Sequence, residues 1–175
     1  MYRPFFACLC ACALLVISSP AEALEVSGGV GLGGVLIGPD PRLAVSPHLA
    51  MSWRLGSGAA LSAYERLNLL PAATRLGIGI YSQTSAAIGY AWDAGNLSIG
   101  PTLSIYSMPA CGAVLCGRVV GVGPGGHAQI DVYFAGSLGV SVSANVDWLG
   151  GSSPVLRGSV AAMILAGPVF RWSPR

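Results

Sequence analysis

Alternate residues are apolar from position 127 to position 148, and this period-two pattern constrains the fold more than any other feature. The apolar positions before the break at Ala135-Gly136 are Ala128, Ile130, Val132 and Phe134, and those after it are Leu138, Val140, Val142, Ala144, Val146 and Trp148. Successive side chains of a β-strand leave opposite faces of a sheet, so a period of two predicts strands. Two such strands around a two-residue turn predict a hairpin with one apolar and one polar face.

The same alternation recurs along the chain and predicts six more strands. Their apolar positions fall within residues 26–36, 43–53, 59–69, 76–92, 97–105 and 160–172, where Glu65, Ser82 and Thr84 interrupt the apolar face. Tight turns at 56–58, 93–95 and 135–136 alternate with longer connections, of which 107–126 is the longest. This alternation is typical of an up-and-down barrel that spans an outer membrane. We therefore predict an all-β protein, an eight-stranded antiparallel up-and-down transmembrane β-barrel.

The composition indicates that the apolar face points outward, toward lipid. Charged residues make up 9% of the chain and lysine is absent, whereas soluble domains carry roughly 25% charged residues. The polar face consists mainly of small residues, which suit the narrow interior of an eight-stranded barrel. Aromatic residues mark the strand ends, as in interfacial girdles: Trp53, Trp92, Phe134, Trp148 and Trp172. The alternative is a soluble ligand-binding barrel, in which the two faces would exchange roles.

The first 23 residues have the pattern of a cleaved secretory signal. Arg3 precedes an apolar run, and Ala21-Glu22-Ala23 fits an A-x-A cleavage site. The barrel domain is then residues 24–175. A helical membrane protein is a weaker alternative, because the apolar stretch 158–170 is short for a span and lies between Arg157 and Arg171.

Export of the chain has consequences for the cysteines. Cys111 and Cys116 remain after cleavage, and an oxidising compartment favours a disulfide between them in the longest loop. Two thiols do not complete a metal site, and no metal or cofactor is expected. The net charge of +2 is too small to indicate a nucleic-acid partner.

The polar face predicts a hydrogen-bonded network that fills the lumen, with arginines paired to aspartates. Its members are His48, Arg54, Arg66, His127, Asp131, Asn145, Asp147, Arg157 and Arg171. His127 is expected opposite Asn145 and next to Asp147, an arrangement that leaves open a histidine–acid pair in an outer-membrane lipid acyl hydrolase or acyltransferase. A narrow pore is a further alternative.

Four prolines fall on the apolar face, and bulges or strand ends are expected there: Pro47, Pro101, Pro124 and Pro168.

With these residues in view, the chain resembles the small eight-stranded outer-membrane barrels, such as the OmpX-like and OmpA transmembrane-domain-like proteins. The last strand adds to the resemblance, because Gly-Pro-Val-Phe-Arg-Trp at 167–172 is similar to the aromatic-ended strand that the outer-membrane assembly machinery recognises. The resemblance implies a monomer in the cell outer membrane, with outer-membrane lipid and that machinery as partners. We expect a non-enzymatic anchor that presents external loops, chiefly the cysteine-bearing one.

Overall fold

The protein is a closed eight-stranded barrel. A computed structural model describes residues 23–37, 40–55, 58–71, 78–111, 116–151 and 158–172. The strands are β1 (Ala23–Ile37), β2 (Asp40–Arg54), β3 (Ala59–Leu70), β4 (Gly79–Trp92), β5 (Gly95–Cys111), β6 (Cys116–Ala135), β7 (Leu138–Gly151) and β8 (Ser159–Trp172). Each pairs antiparallel with its neighbours in chain order, and β1 pairs with β8. The predicted fold class is confirmed, whereas almost all of the predicted signal peptide, residues 1–22, lies outside the described residues.

The two ends of the barrel differ in their connections. One end, here called the turn end, carries the connections between β2 and β3, β4 and β5, and β6 and β7, together with the start of β1 and the end of β8. The β6–β7 turn uses Gly136 at φ +65°, a left-handed conformation that glycine adopts without a steric penalty. The opposite end, the loop end, carries the four other connections. No helix within the described ranges is long and apolar enough to cross a membrane.

Two predictions about the loop end are wrong. Only residues 38–39 separate β1 from β2, so this connection is as short as those of the turn end. Residues 107–126 are also not a long loop, because β5 continues to Cys111 and β6 begins at Cys116. The Gly-Pro-Gly-Gly sequence at 123–126 has the composition of a turn, yet its residues pair with 101–104 of β5. Cross-strand pairing therefore overrides the local turn preference of these residues.

The four strand prolines interrupt pairing without changing the register. Pro101 illustrates the pattern: the β4–β5 ladder pairs Ser85 with Thr102 and resumes at Ile88 with Ile99, so no residue has been inserted. On its other side Pro101 pairs with Gly126. Comparable gaps lie beside Pro47, Pro124 and Pro168. The expected bulges and strand ends are therefore absent at these four sites. Proline lacks the backbone N–H, so it removes hydrogen bonds on one side of the strand only.

The apolar face lies on the outside, as predicted. Leu43 is 76% exposed, Ile164 is 68% exposed, and most outward positions of the eight strands carry exposed Leu, Ile or Val. The inward positions between them are buried, for example Ser46, Asn68 and Gln129. Phe134, Phe170, Trp172 and Tyr90 are exposed near the turn end, and Trp148 is exposed near the loop end. An outward apolar belt bounded by exposed aromatic residues, around an interior that holds buried polar side chains, is the arrangement of a membrane barrel.

Candidate functional site: the filled interior and the loop-end hairpin

The interior is closed at the loop end by apolar side chains. This apolar cap consists of Val35, Ile37, Ala44, Leu70, Tyr81, Tyr106, Met108, Val119, Leu149, Ala161, Met163 and Leu165, all buried in one cluster. Sequence reasoning missed it, because an interior of mainly small and polar residues was expected. The available signal was the run Val-Ala-Ala-Met-Ile-Leu-Ala of β8, where both alternating faces are apolar.

Below this cap, Asp147 is the centre of a polar cluster built from four strands. Its carboxylate accepts hydrogen bonds from Tyr81, Gln83 and Thr102. Asn68 extends the cluster by donating to Gln83 Oε1 over 2.9 Å. Asp147 is fully buried, and a buried carboxylate requires such donors to offset the loss of water. The cluster therefore ties β3, β4, β5 and β7 together across the lumen.

Arg66 lies nearer the turn end and does not pair directly with an aspartate. It donates to Gln129 Oε1 over 2.8 Å, and Gln129 donates in turn to Asp131 over 2.9 Å. The prediction that arginines pair with the interior aspartates is wrong for Arg66, because an amide side chain stands between the two charges. The glutamine accepts from the guanidinium and donates to the carboxylate, so both charged groups are hydrogen-bonded.

Direct ion pairs occur at the turn end. Arg54 approaches Glu25 at 3.2 Å and Asp93 at 3.8 Å, and Arg171 approaches Glu25 at 3.8 Å. The Arg171 guanidinium also lies 4.2 Å from the ring centre of Tyr133, which is within the range of a cation–π contact. Sequence reasoning placed both arginines in the lumen but did not identify Glu25 as their partner, since Glu25 lies just before the first predicted strand, whereas β1 begins at Ala23.

Neither histidine forms the histidine–acid pair that the sequence left open. His127 lies opposite Asn145 in the β6–β7 ladder, as predicted. The neighbouring Asp147 carboxylate is engaged by other donors, however, and the His127 ring packs edge-on against Tyr64 at 4.7 Å. Nε2 of His48 and Nε2 of His127 have no hydrogen-bond partner in the described part of the chain. In the described part of the chain neither imidazole is paired with an acid, and both rings are buried inside the barrel, away from the lipid side.

Little space remains in the interior. A cavity lined by Gly31, Ser46, His48, Arg66, Ser141, Ser143 and Leu165 has a volume of about 10 Å³, which is near the lower limit for one water molecule. The side chains described above therefore fill most of the space around this cavity.

Of the predicted network, Asn145 is also buried, and Arg157 lies outside the described residues. Within those residues, His, Cys, Asp and Glu form no group of three that could hold a metal.

Strands β5 and β6 extend beyond their neighbours β4 and β7 at the loop end. The last β4 partner of β5 is Ser107, and the last β7 partner of β6 is Gly121. Beyond these points the two strands pair only with each other, up to Cys111 opposite Cys116. We call residues 108–119 the loop-end hairpin. Arg118 holds its base by donating to Ile78 O and Ser107 O, each over 3.1 Å.

The register supports the predicted disulfide without testing it. Directly opposed residues of antiparallel strands have Cα atoms about 4.5–5.5 Å apart, within the range of roughly 4.4–6.8 Å that a disulfide spans. The side chains of Cys111 and Cys116 lie outside the described part of the structure. The disulfide therefore stays a prediction.

Comparison with solved structures finds three bacterial barrels of similar fold. The crystal structure of Ail, the attachment invasion locus protein of Yersinia pestis, in complex with the heparin analogue sucrose octasulfate is similar with a TM-score of 0.61, 9% identity, and coverage of 86% of this chain and 99% of that one. Neisserial surface protein A is similar with a TM-score of 0.57, 10% identity, and coverage of 85% and 97%. The N-terminal β-barrel domain of Pseudomonas aeruginosa OprF is similar with a TM-score of 0.53, 12% identity, and coverage of 86% and 98%.

The fold is that of a small outer-membrane barrel. This confirms, at the level of fold, the resemblance predicted from the sequence, and the outward apolar belt is the surface that such a barrel turns toward lipid. No protein-family model matches the sequence, and no curated protein matches it.

Proposed function

We propose that the protein is a non-enzymatic outer-membrane anchor that presents the loop-end hairpin outside the cell. The observation that carries the proposal is the contrast between a filled interior and a projecting hairpin. A barrel whose lumen is occupied by an apolar cap and a hydrogen-bonded cluster is a rigid support rather than a conduit. Function on such a support is concentrated in the segments that extend from it.

The orientation follows from the connections. Outer-membrane barrels have short turns on the periplasmic side and carry their longer segments outside. The turn end carries the start of β1, the end of β8 and three tight connections, so it faces the periplasm. The loop-end hairpin then extends away from the cell, with Cys111 and Cys116 near its tip.

Surface labelling and conductance together test this proposal. An epitope inserted between Ala113 and Val114 should bind antibody on intact cells, whereas the same epitope in the Asp93-Ala94 turn should bind only after the membrane is permeabilised. Purified protein in a planar bilayer should give no conductance above the bare bilayer. Labelling only of permeabilised cells at the hairpin, or regular conductance steps, would contradict the anchor.

A further inference from the structure

The small interior cavity lies where two hydrogen-bonded clusters come together. Ser46 lines the cavity and donates to Asn68 Oδ1 over 2.8 Å, so it belongs to the cluster around Asp147. Arg66 lines the same cavity from β3 and belongs to the second cluster, in which it donates to Gln129 Oε1.

Two side chains on the cavity wall each carry a buried nitrogen atom that lacks a hydrogen-bond partner. These atoms are Nε of Arg66 and Nε2 of His48, and no described residue bonds to either of them. Arg66 is only 5% exposed and His48 only 9%. A buried polar atom without a partner is costly, and in folded proteins an ordered water molecule often serves such atoms. The cavity is the place in which that partner can lie.

The wall of the cavity presents both donors and acceptors. Nε of Arg66 carries a hydrogen atom and can only donate. The His48 ring is hydrogen-bonded to the backbone of Ser46, and because Nε2 has no partner in the described chain, Nδ1 makes this bond. Nε2 of the neutral ring is then an acceptor. The Ser46 hydroxyl gives its hydrogen atom to Asn68, so it offers oxygen lone pairs to the cavity.

This mixture of donors and acceptors disfavours an ion of either sign. An anion would face the lone pairs of His48 Nε2 and Ser46 Oγ, and a cation would face the Arg66 guanidinium. A water molecule can donate and accept at the same time. The volume of about 10 Å³ accommodates one water molecule and no more.

We propose that the cavity binds a single structural water molecule, which accepts from Arg66 Nε and donates to His48 Nε2 and to Ser46 Oγ. Ser143, a buried serine of β7 that also lines the cavity, provides a hydroxyl donor for the fourth contact. Buried water molecules usually make about three hydrogen bonds, within a range of roughly two to four.

The bound water connects the two clusters. Through Ser46 it reaches Asp147, and through Arg66 it reaches Gln129 and Asp131. The two aspartates lie on neighbouring strands, β7 and β6, and the water makes them members of one hydrogen-bonded network. Removing one contact with the water should therefore change what the other contacts contribute to stability.

A crystal structure of the natural chain, at a resolution that shows ordered water, tests the occupant without any substitution. We expect one peak of electron density within about 3.2 Å of both Arg66 Nε and His48 Nε2. Crystals grown with bromide in place of chloride distinguish water from an anion, because bromide gives an anomalous signal and water does not. An empty cavity, or an anomalous peak inside it, would overturn the proposal.

A double-mutant cycle in lipid vesicles tests the connection itself. Ser143→Ala and His48→Phe each remove one contact with the water, so their effects on the unfolding equilibrium constant should not simply multiply. We expect the double variant to differ from the product of the single effects by about 3- to 30-fold, as is usual for residues of one network.

Ser104→Ala is the matched control for Ser143→Ala, because Ser104 is also a buried serine but is not part of the cavity lining. Its effect should combine with that of His48→Phe to within about 2-fold of the product. A Ser143–His48 pair that is as independent as the Ser104–His48 pair would refute the link through water.

Discussion

At the scale of single residues, Asp147 has the largest structural role in the interior. Its buried carboxylate accepts hydrogen bonds from three side chains, two on β4 and one on β5. Asp147 lies two residues after Asn145, which is the residue opposite His127. The sequence indicated a buried acid at this position but not its partners. Those partners depend on the stagger of the strands around the barrel, which brings Tyr81 of β4 and Asp147 of β7 to the same level.

Replacing Asp147 with alanine should destabilise the barrel by about 2–3 kcal/mol, because Tyr81, Gln83 and Thr102 would lose a charged acceptor while remaining buried. The measurement is urea unfolding of the protein refolded into lipid vesicles. Asn145→Ala is the matched control on the same strand and face, and its Nδ2 has no partner within the described ranges. Equal losses for the two variants would show that the donors are not organised by Asp147.

Gly100, next to Pro101, lies where the backbones of β4 and β5 approach closely, and replacing it tests that approach. A Cβ at this position would lie 2.0 Å from Ala86 O and 2.6 Å from Ala87 Cα, which are both backbone atoms. We expect Gly100→Ala to lower stability by about 1–3 kcal/mol through overpacking.

Gly126→Ala is the control for this change, because a Cβ there meets nothing within 4 Å and Gly126 pairs with the adjacent Pro101. That change should be neutral or stabilise by about 0.4–1 kcal/mol, since alanine restricts the unfolded chain. If Gly126→Ala proves the more harmful of the two, the packing described around Gly100 is incorrect.

At the scale of strands, the sequence predicted the faces well and the boundaries less well. Period-two hydrophobicity assigns each side chain to lipid or lumen because the strand geometry fixes that alternation. Strand ends at the loop end depend on pairing between distant segments. Residues 107–126 contain glycine and proline in turn-like order, yet pairing with β5 extends β6 to Cys116.

The extended hairpin makes the predicted disulfide testable. Cys111 and Cys116 are opposite each other in the last residue pair of the hairpin. If they form a disulfide, exported protein should not react with a maleimide until it has been reduced and denatured. For a loop of about six residues the chain-entropy model gives a stabilisation of about 2 kcal/mol. Two thiols that react at once in unreduced protein would contradict the disulfide.

At the scale of the whole molecule, the interior changes character from one end to the other. Apolar side chains fill the loop end, hydrogen-bonded clusters around Asp147 and around Arg66 occupy the middle, and ion pairs around Glu25 close the turn end. The sequence predicted a filled lumen, and of its predicted members His48, Arg66, His127, Asp131, Asn145 and Asp147 are buried, but the apolar cap was missed. It could not predict this order, because residues at one level come from strands far apart in the chain.

The central claim is that the apolar face of the barrel meets lipid. The most direct test is to fractionate cells that produce the full chain and to run the outer-membrane fraction on a detergent gel with and without boiling. The protein should be found in that fraction, and its mobility should change on boiling, because a folded membrane barrel resists detergent at low temperature. A protein that is soluble in the periplasm and shows no change on boiling would mean that the exposed belt of Leu, Ile and Val does not face a membrane.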